Sequence, residues 1–136
     1  MFHFVKNHPK YYEFIRKLRN DERVQGGFID QLPHTTKEQQ KKYMDKYKDN
    51  FYICLGFGGD GIKPKPVGYI RHIDGDIGVC TDPTYQGRGI ATFMIKELIK
   101  RHPNCYAKIK LNNEASIKAF EKAGFEKQYY ILKLQK

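Results

Sequence analysis

Six consecutive residues have the types and spacing to hold an anion: Gln86-Gly87-Arg88-Gly89-Ile90-Ala91. Ahead of them lies the strand-like run Asp76-Ile77-Gly78-Val79-Cys80-Thr81, followed by Asp82-Pro83-Thr84-Tyr85. Behind them, apolar residues recur at Ile90, Phe93, Met94 and Leu98, the spacing of one helix face. The six residues therefore occupy a corner between a strand and a helix. Two glycines there leave consecutive backbone N–H groups uncovered, and the first helical turn adds unpaired donors with a partial positive charge. Such a corner is a socket for a phosphate or diphosphate. The competing reading is a glycine corner selected only for tight packing.

The pattern Gln-x-x-Gly-x-Ala after Asp-Pro-x-Tyr resembles the acyl-CoA signature of the GNAT N-acetyltransferase superfamily. A second stretch, Asn113-x-x-Ser116-Ile117-x-Ala119-Phe120-Glu121-Lys122-Ala123-Gly124-Phe125, resembles that family's later element, a helix ending in Gly-Phe. Both occur in the family's order, and the resemblance runs from about Pro66 onward. It implies acetyl-CoA as co-substrate, an amine acceptor, and no metal. The cofactor positions it implies are Gln86, Gly87, Arg88, Gly89, Ile90, Ala91 and Thr92 for the phosphates. Val79, Cys80 and Thr81 would hold the pantetheine and thioester, and Asn113 and Phe120 lie on or before the later helix.

Acetyl transfer from a thioester to an amine needs a donor for the thioester carbonyl, a base for the ammonium and an acid for the thiolate. Many family members place a tyrosine as acid where this chain has Phe120. The branch acting on ribosomal-protein alanines has a glutamate where this chain has Lys108. Asp76 matches a glutamate that opens the fourth strand in amino-sugar and some protein-directed members, and is the expected base, acting through a water. An ordinary hairpin aspartate is the alternative. His72, whose side chain titrates in the right range, is the second choice of base, and Tyr129 or Tyr130 could serve as acid. A thiol of pKa about 8.5 also leaves unaided as thiolate. Cys80 has no evident His partner, so direct attack by the amine is expected rather than an acetyl-cysteine intermediate. A nucleotide-linked amino sugar is the favoured acceptor. Peptide, protein, polyamine and small-molecule amines are alternatives.

The 136 residues fit one domain, 1–136, with one core. A formal charge of +10 attracts polyanions and raises a basic nucleic-acid-binding module as a rival reading. The ten tyrosines are scattered, however, rather than grouped as a stacking platform. No apolar run approaches the roughly 20 residues that cross a bilayer, and Met1–Lys6 lacks a signal peptide's apolar stretch. A cytoplasmic location is expected, as a monomer or homodimer. Cys54, Cys80 and Cys105 stand far apart without a C-x-x-C pair, which points to reduced thiols rather than zinc or disulfides.

The elements that must position these groups follow from periodicity and turn chemistry. A strand is expected at Phe2–Lys6, then a helix opened by His8-Pro9 and carrying Phe14, Ile15 and Leu18. A loop through Gly26, Gly27 and Pro33 leads to a helix capped by Thr36 with Gln39 three residues on, ending near Lys48. Strands are expected at 51–55, 67–73 and 76–81, the last two joined by the hairpin signal Asp74-Gly75. The Gly89 helix, a strand at 105–111, a helix at 114–123 and a final strand at 129–134 complete the order. This makes an α+β protein: a central mixed, mostly antiparallel sheet with about four helices, the N-terminal pair closing over one end. Gly56-Phe57-Gly58-Gly59-Asp60-Gly61 matches a dinucleotide fingerprint, but Pro64 and Pro66 forbid the helix such a motif must open.

Overall fold

Four antiparallel strands lie in sequence order across one sheet: β1 (His3–Lys6), β2 (Phe51–Gly56), β3 (Lys65–Ile73) and β4 (Asp76–Thr81). The computed structural model describes residues 1–28 and 35–135, so the expected loop residue Pro33 lies outside the described residues. Among the described residues five α-helices accompany the sheet: α1 (Tyr12–Asn20), α2 (Glu22–Gln25), α3 (Lys37–Tyr47), α4 (Ile90–Arg101) and α5 (Glu114–Lys122).

Local chemistry accounts for the boundaries. Asp74 and Gly75 both adopt positive φ (51° and 83°), as a two-residue hairpin turn with the sheet's twist requires. The β3–β4 register then follows, Arg71 opposite Gly78 and Ile73 opposite Asp76. Thr36 and Gln39 form a reciprocal capping box at α3: the Gln39 amide donates to the Thr36 hydroxyl (3.1 Å) and the Thr36 amide to Gln39 Oε1 (2.9 Å).

Each face of the sheet carries its own apolar layer. On one, α4 presents Ile90, Met94, Ile95 and Leu98 to Cys54, Val67, Ile70 and Ile77, and α5 adds Ala119 and Phe120. Gly68 lets α4 approach: a Cβ there would stand 2.8 Å from Met94 Cε. On the other, Ile15, Leu18 and Met44 of α1 and α3 cover Phe51, Ile53, Tyr69 and Cys80. The N-terminal helices thus cover a face of the sheet rather than closing over its end.

Two expected strands do not form. In 105–111 only Tyr106 pairs, through one parallel bridge to Asp76. Beyond it the chain leaves β4, and Lys110 Nζ donates instead to the Gly26 carbonyl (2.8 Å). The 129–134 stretch is then without a neighbouring ladder and stays irregular, with Tyr129, Tyr130, Leu132 and Leu134 about nine-tenths exposed. Strand propensity expresses itself only where a pairing edge is in reach.

Candidate active site

The departure of the 106–113 segment from β4 opens a cavity of about 950 Å³. One end is the glycine corner and the other is the hairpin end of β4 at Asp76. Because backbone N–H groups alternate along a strand, the bridge fixes which ones face the opening. Ile77 N–H donates to the Tyr106 carbonyl (2.9 Å), and Asp82 N–H donates to the Val67 carbonyl (2.8 Å) on the opposite side. Val79 and Thr81 N–H therefore point the same way as Ile77, toward an edge that carries no other strand among the described residues. These are two backbone donors aimed into the cavity. Thr81 adds a buried hydroxyl that makes no hydrogen bond.

At the corner, Gly87 (φ 79°) and Gly89 (φ 78°) are both left-handed. Space is open around the missing Cβ of each, so backbone conformation and not crowding requires glycine. Gly89 is the N-cap of α4 and offers no side-chain acceptor, and the first turn holds no carboxylate. The N–H groups of the first turn are consequently available to a ligand, together with the positive end of the helix dipole. The 56–61 loop braces this corner from behind. Phe57 stacks on Tyr85 (4.7 Å between centroids), and the Arg88 guanidinium lies 5.2 Å above the Phe57 ring.

Eleven of the twelve expected cofactor positions line the cavity: Val79, Cys80, Thr81, Gln86, Gly87, Gly89, Ile90, Ala91, Thr92, Asn113 and Phe120. Arg88 does not, being held against Phe57. Asn113 also caps α5, accepting from Ser116 N–H (3.2 Å). Phe120 is 4% exposed and packs edge-on against Phe125.

The three expected catalytic residues separate. Asp76 lines the cavity, half-buried, with Lys108 Nζ 3.9 Å from its carboxylate. His72 lies elsewhere, on the α4 face of the sheet, in a small separate cavity of about 260 Å³. Its ring stacks on His102 (3.8 Å between centroids) and its Nε2 is buried without a partner. An odd-numbered shift along β3 would have turned it inward; the strand's period of two sends Tyr69 and Arg71 to the cavity and His72 away. Tyr129 is 89% exposed and lines no part of the cavity.

Sequence reading missed the neighbours on the cavity wall: Arg19 of α1, Arg23 of α2, and Tyr69 and Arg71 of β3. The alternation of β3 relative to β4 was the signal that could have found the last two. Burial pushes the Cys80 thiol up to about 12, and Tyr69 is raised well above the usual phenol range for the same reason. A thiol held protonated is a poor nucleophile, consistent with direct attack. Cys54 on the far face is likewise pushed up to about 12 by burial. Among the described residues no three His, Cys, Asp or Glu side chains gather to hold a metal ion, and no helix is long and apolar enough to cross a membrane.

The His72 site yields a stability prediction. Burial first, then the neighbouring His102, lower the pKa of His72 from its ordinary 6.5. Tyr52 stacks beside it, and Arg101 and Cys105 line the same small cavity, none of them a carboxylate that would favour the charged ring. The unfolded chain therefore binds this proton more readily than the folded one. Stability is fully present above pH 6.5 and declines as pH falls below it. Urea midpoints measured from pH 7.5 to 5.5 should drop, and His72→Phe should flatten that slope. An equally steep slope in the variant would refute the assignment.

The sequence pattern of the acetyltransferase (GNAT) family matches residues 12–125. No curated protein matches the sequence at a significant level. Among solved structures, a domain from Methanocaldococcus jannaschii DSM 2661 superposes with a TM-score of 0.80 at 20% identity, covering 94% of this chain and 90% of its own. Spermidine N-acetyltransferase from Vibrio cholerae, in complex with CoA and spermine, gives 0.79 at 13% identity, over 96% and 83%. An aminoglycoside acetyltransferase in complex with coenzyme A gives 0.65 at 17%, over 94% and 86%. At these identities the structural likeness speaks to the fold.

Proposed function

The chain belongs to the acetyltransferase (GNAT) family, and from that premise we propose that it transfers the acetyl group of acetyl-CoA to a primary amine by direct attack. The observation that carries the reading is the continuous cavity joining the Gly87–Gly89 corner, the two free β4 donors and Asp76. The corner binds the diphosphate through backbone N–H groups. The N–H groups of Val79 and Thr81 hold the pantetheine chain and polarise the thioester carbonyl, where negative charge builds up as the amine attacks.

The neutral amine nitrogen attacks the thioester carbon, the C–N bond forms and the C–S bond breaks. Asp76 takes the ammonium proton, directly or through one water. With Phe120 unable to donate, the sulfur leaves as the CoA thiolate, which is tolerable for a thiol of pKa about 8.5. In this reading Asp76, Val79, Thr81 and the corner residues are the working set, and His72 and Tyr129 are left out because neither lines the cavity.

Nothing among the relatives supports a nucleotide-linked sugar as acceptor, and the acceptor is stated only as an amine. The nucleic-acid reading lacks an exposed platform: Tyr52, Phe4, Phe93, Phe2, Phe57 and Tyr85 adjoin one another, but all six are partly buried and pack against the α4-side apolar layer. Titration calorimetry with acetyl-CoA and with a random-sequence oligonucleotide tests the choice. Micromolar acetyl-CoA binding, followed by thiol release in the presence of an amine, is expected. Salt-sensitive oligonucleotide binding without acetyl-CoA binding would overturn it.

A further inference from the structure

Arg71 lines the cavity from β3. Its guanidinium lies flat across β4 over Gly78, so close that a Cβ at 78 would stand 2.9 Å from its Cζ and Nε. Glycine inside a strand weakens it, and commonly marks a close approach; here it makes room for this side chain. Arg71 enters none of the ion pairs among the described residues. Of the other cations that line the cavity, Lys118 and Lys122 of α5 likewise enter none of these ion pairs, while the remaining three are engaged. Arg23 is paired with Asp21 (2.7 Å), Lys108 lies 3.9 Å from Asp76, and the Arg19 guanidinium sits 5.0 Å above the Tyr43 ring.

Among the described residues only one carboxylate, Asp76, lines the cavity. Asp76 and Gly78 are two residues apart on β4, so they share a face at a separation of roughly 7 Å. One end of that span can take an ammonium proton, and the other presents a planar fork of donors matched to a carboxylate. A polyamine would meet an excess of positive charge here.

We infer that the acceptor is an amine that itself carries a carboxylate, with Arg71 as the residue that recognises it. This rests on the acetyltransferase reading above. The acceptor's nitrogen lies toward Asp76 and its carboxylate against Arg71, so the two charges of one small molecule meet their complements across Gly78.

The test compares kcat/KM by thiol release for matched pairs: β-alanine, 4-aminobutyrate and the L-amino acids, each against its primary amide. Spermidine serves as a polycation and 2-aminoethyl phosphate as a different anion. Carboxylated members should exceed their amides by roughly 10- to 100-fold, the range of a charge-assisted bidentate contact. Arg71→Met should collapse that ratio toward one, chiefly through acceptor KM, and Arg71→Glu should turn it in favour of spermidine. Acetyl-CoA titration of wild type and both variants separates the outcomes. If acetyl-CoA does not bind the wild type, the acetyltransferase reading itself falls. If it binds, yet amides, spermidine or the phosphate ester are the better acceptors, or no carboxylated amine is consumed, or the ratio survives Arg71→Met, the carboxylate assignment alone is overturned.

Discussion

Gly89→Val should raise the dissociation constant for acetyl-CoA at least 100-fold while leaving the sheet and both apolar layers in place. Gly89 holds φ at 78° with no atom near its missing Cβ, so the substitution introduces no clash. Its cost is conformational, because a β-branched residue at positive φ is a severe outlier. The chain relieves it by rotating the corner, which turns away the N–H groups that face the diphosphate. Asparagine tolerates the left-handed region far better, so Gly89→Asn should lie within about tenfold of wild type. Calorimetric titration paired with thermal melts distinguishes lost binding from lost folding. A valine variant that binds acetyl-CoA normally would remove the corner from the site.

Asp76→Asn should lower kcat by roughly 10²- to 10⁴-fold, the usual contribution of a general base, with little change in acetyl-CoA affinity. The side chain is half-buried at the start of β4, and its contact with Lys108 is a loose surface pair worth little to stability. Asparagine keeps the shape and the capacity to accept hydrogen bonds but cannot take the proton. The deficit should shrink as pH rises toward the amine's own pKa, since a larger fraction of the acceptor then arrives unprotonated. Stopped assays from pH 7 to 9.5 check this. An Asp76→Asn enzyme within threefold of wild type at pH 7 would return Asp76 to the status of a hairpin aspartate.

Much of the candidate site is legible in the sequence, because the controlling signals are local. The left-handed glycines at 87 and 89, the Asp74-Gly75 turn and the Thr36–Gln39 box are decided within four residues of chain. The i, i+4, i+8 face of Ile90, Met94 and Leu98 is set within a single helix. The same locality made the Gly56–Gly61 loop dismissible as a dinucleotide fingerprint. Its structural use, Phe57 bracing Tyr85 and Arg88, involves contacts about 30 residues away and left no mark in spacing.

Tertiary structure decided the rest. Asp76 and His72 are both polar residues near the same hairpin, yet strand alternation and the fixed Arg71–Gly78 register send one to the cavity and the other under α4. The 105–111 and 129–134 stretches read as strands, but a ladder needs a second edge at hydrogen-bonding distance. The gap that leaves Val79 and Thr81 free for a ligand is the same gap that leaves those stretches unpaired. Residue types and short spacings thus determined the family, the glycine corner at 87–89 and most of the elements. Which side chains meet in the cavity, and the placing of Arg71 over Gly78, followed only from packing, because a side chain's neighbours across a sheet are set by register and not by the order of residues along the chain.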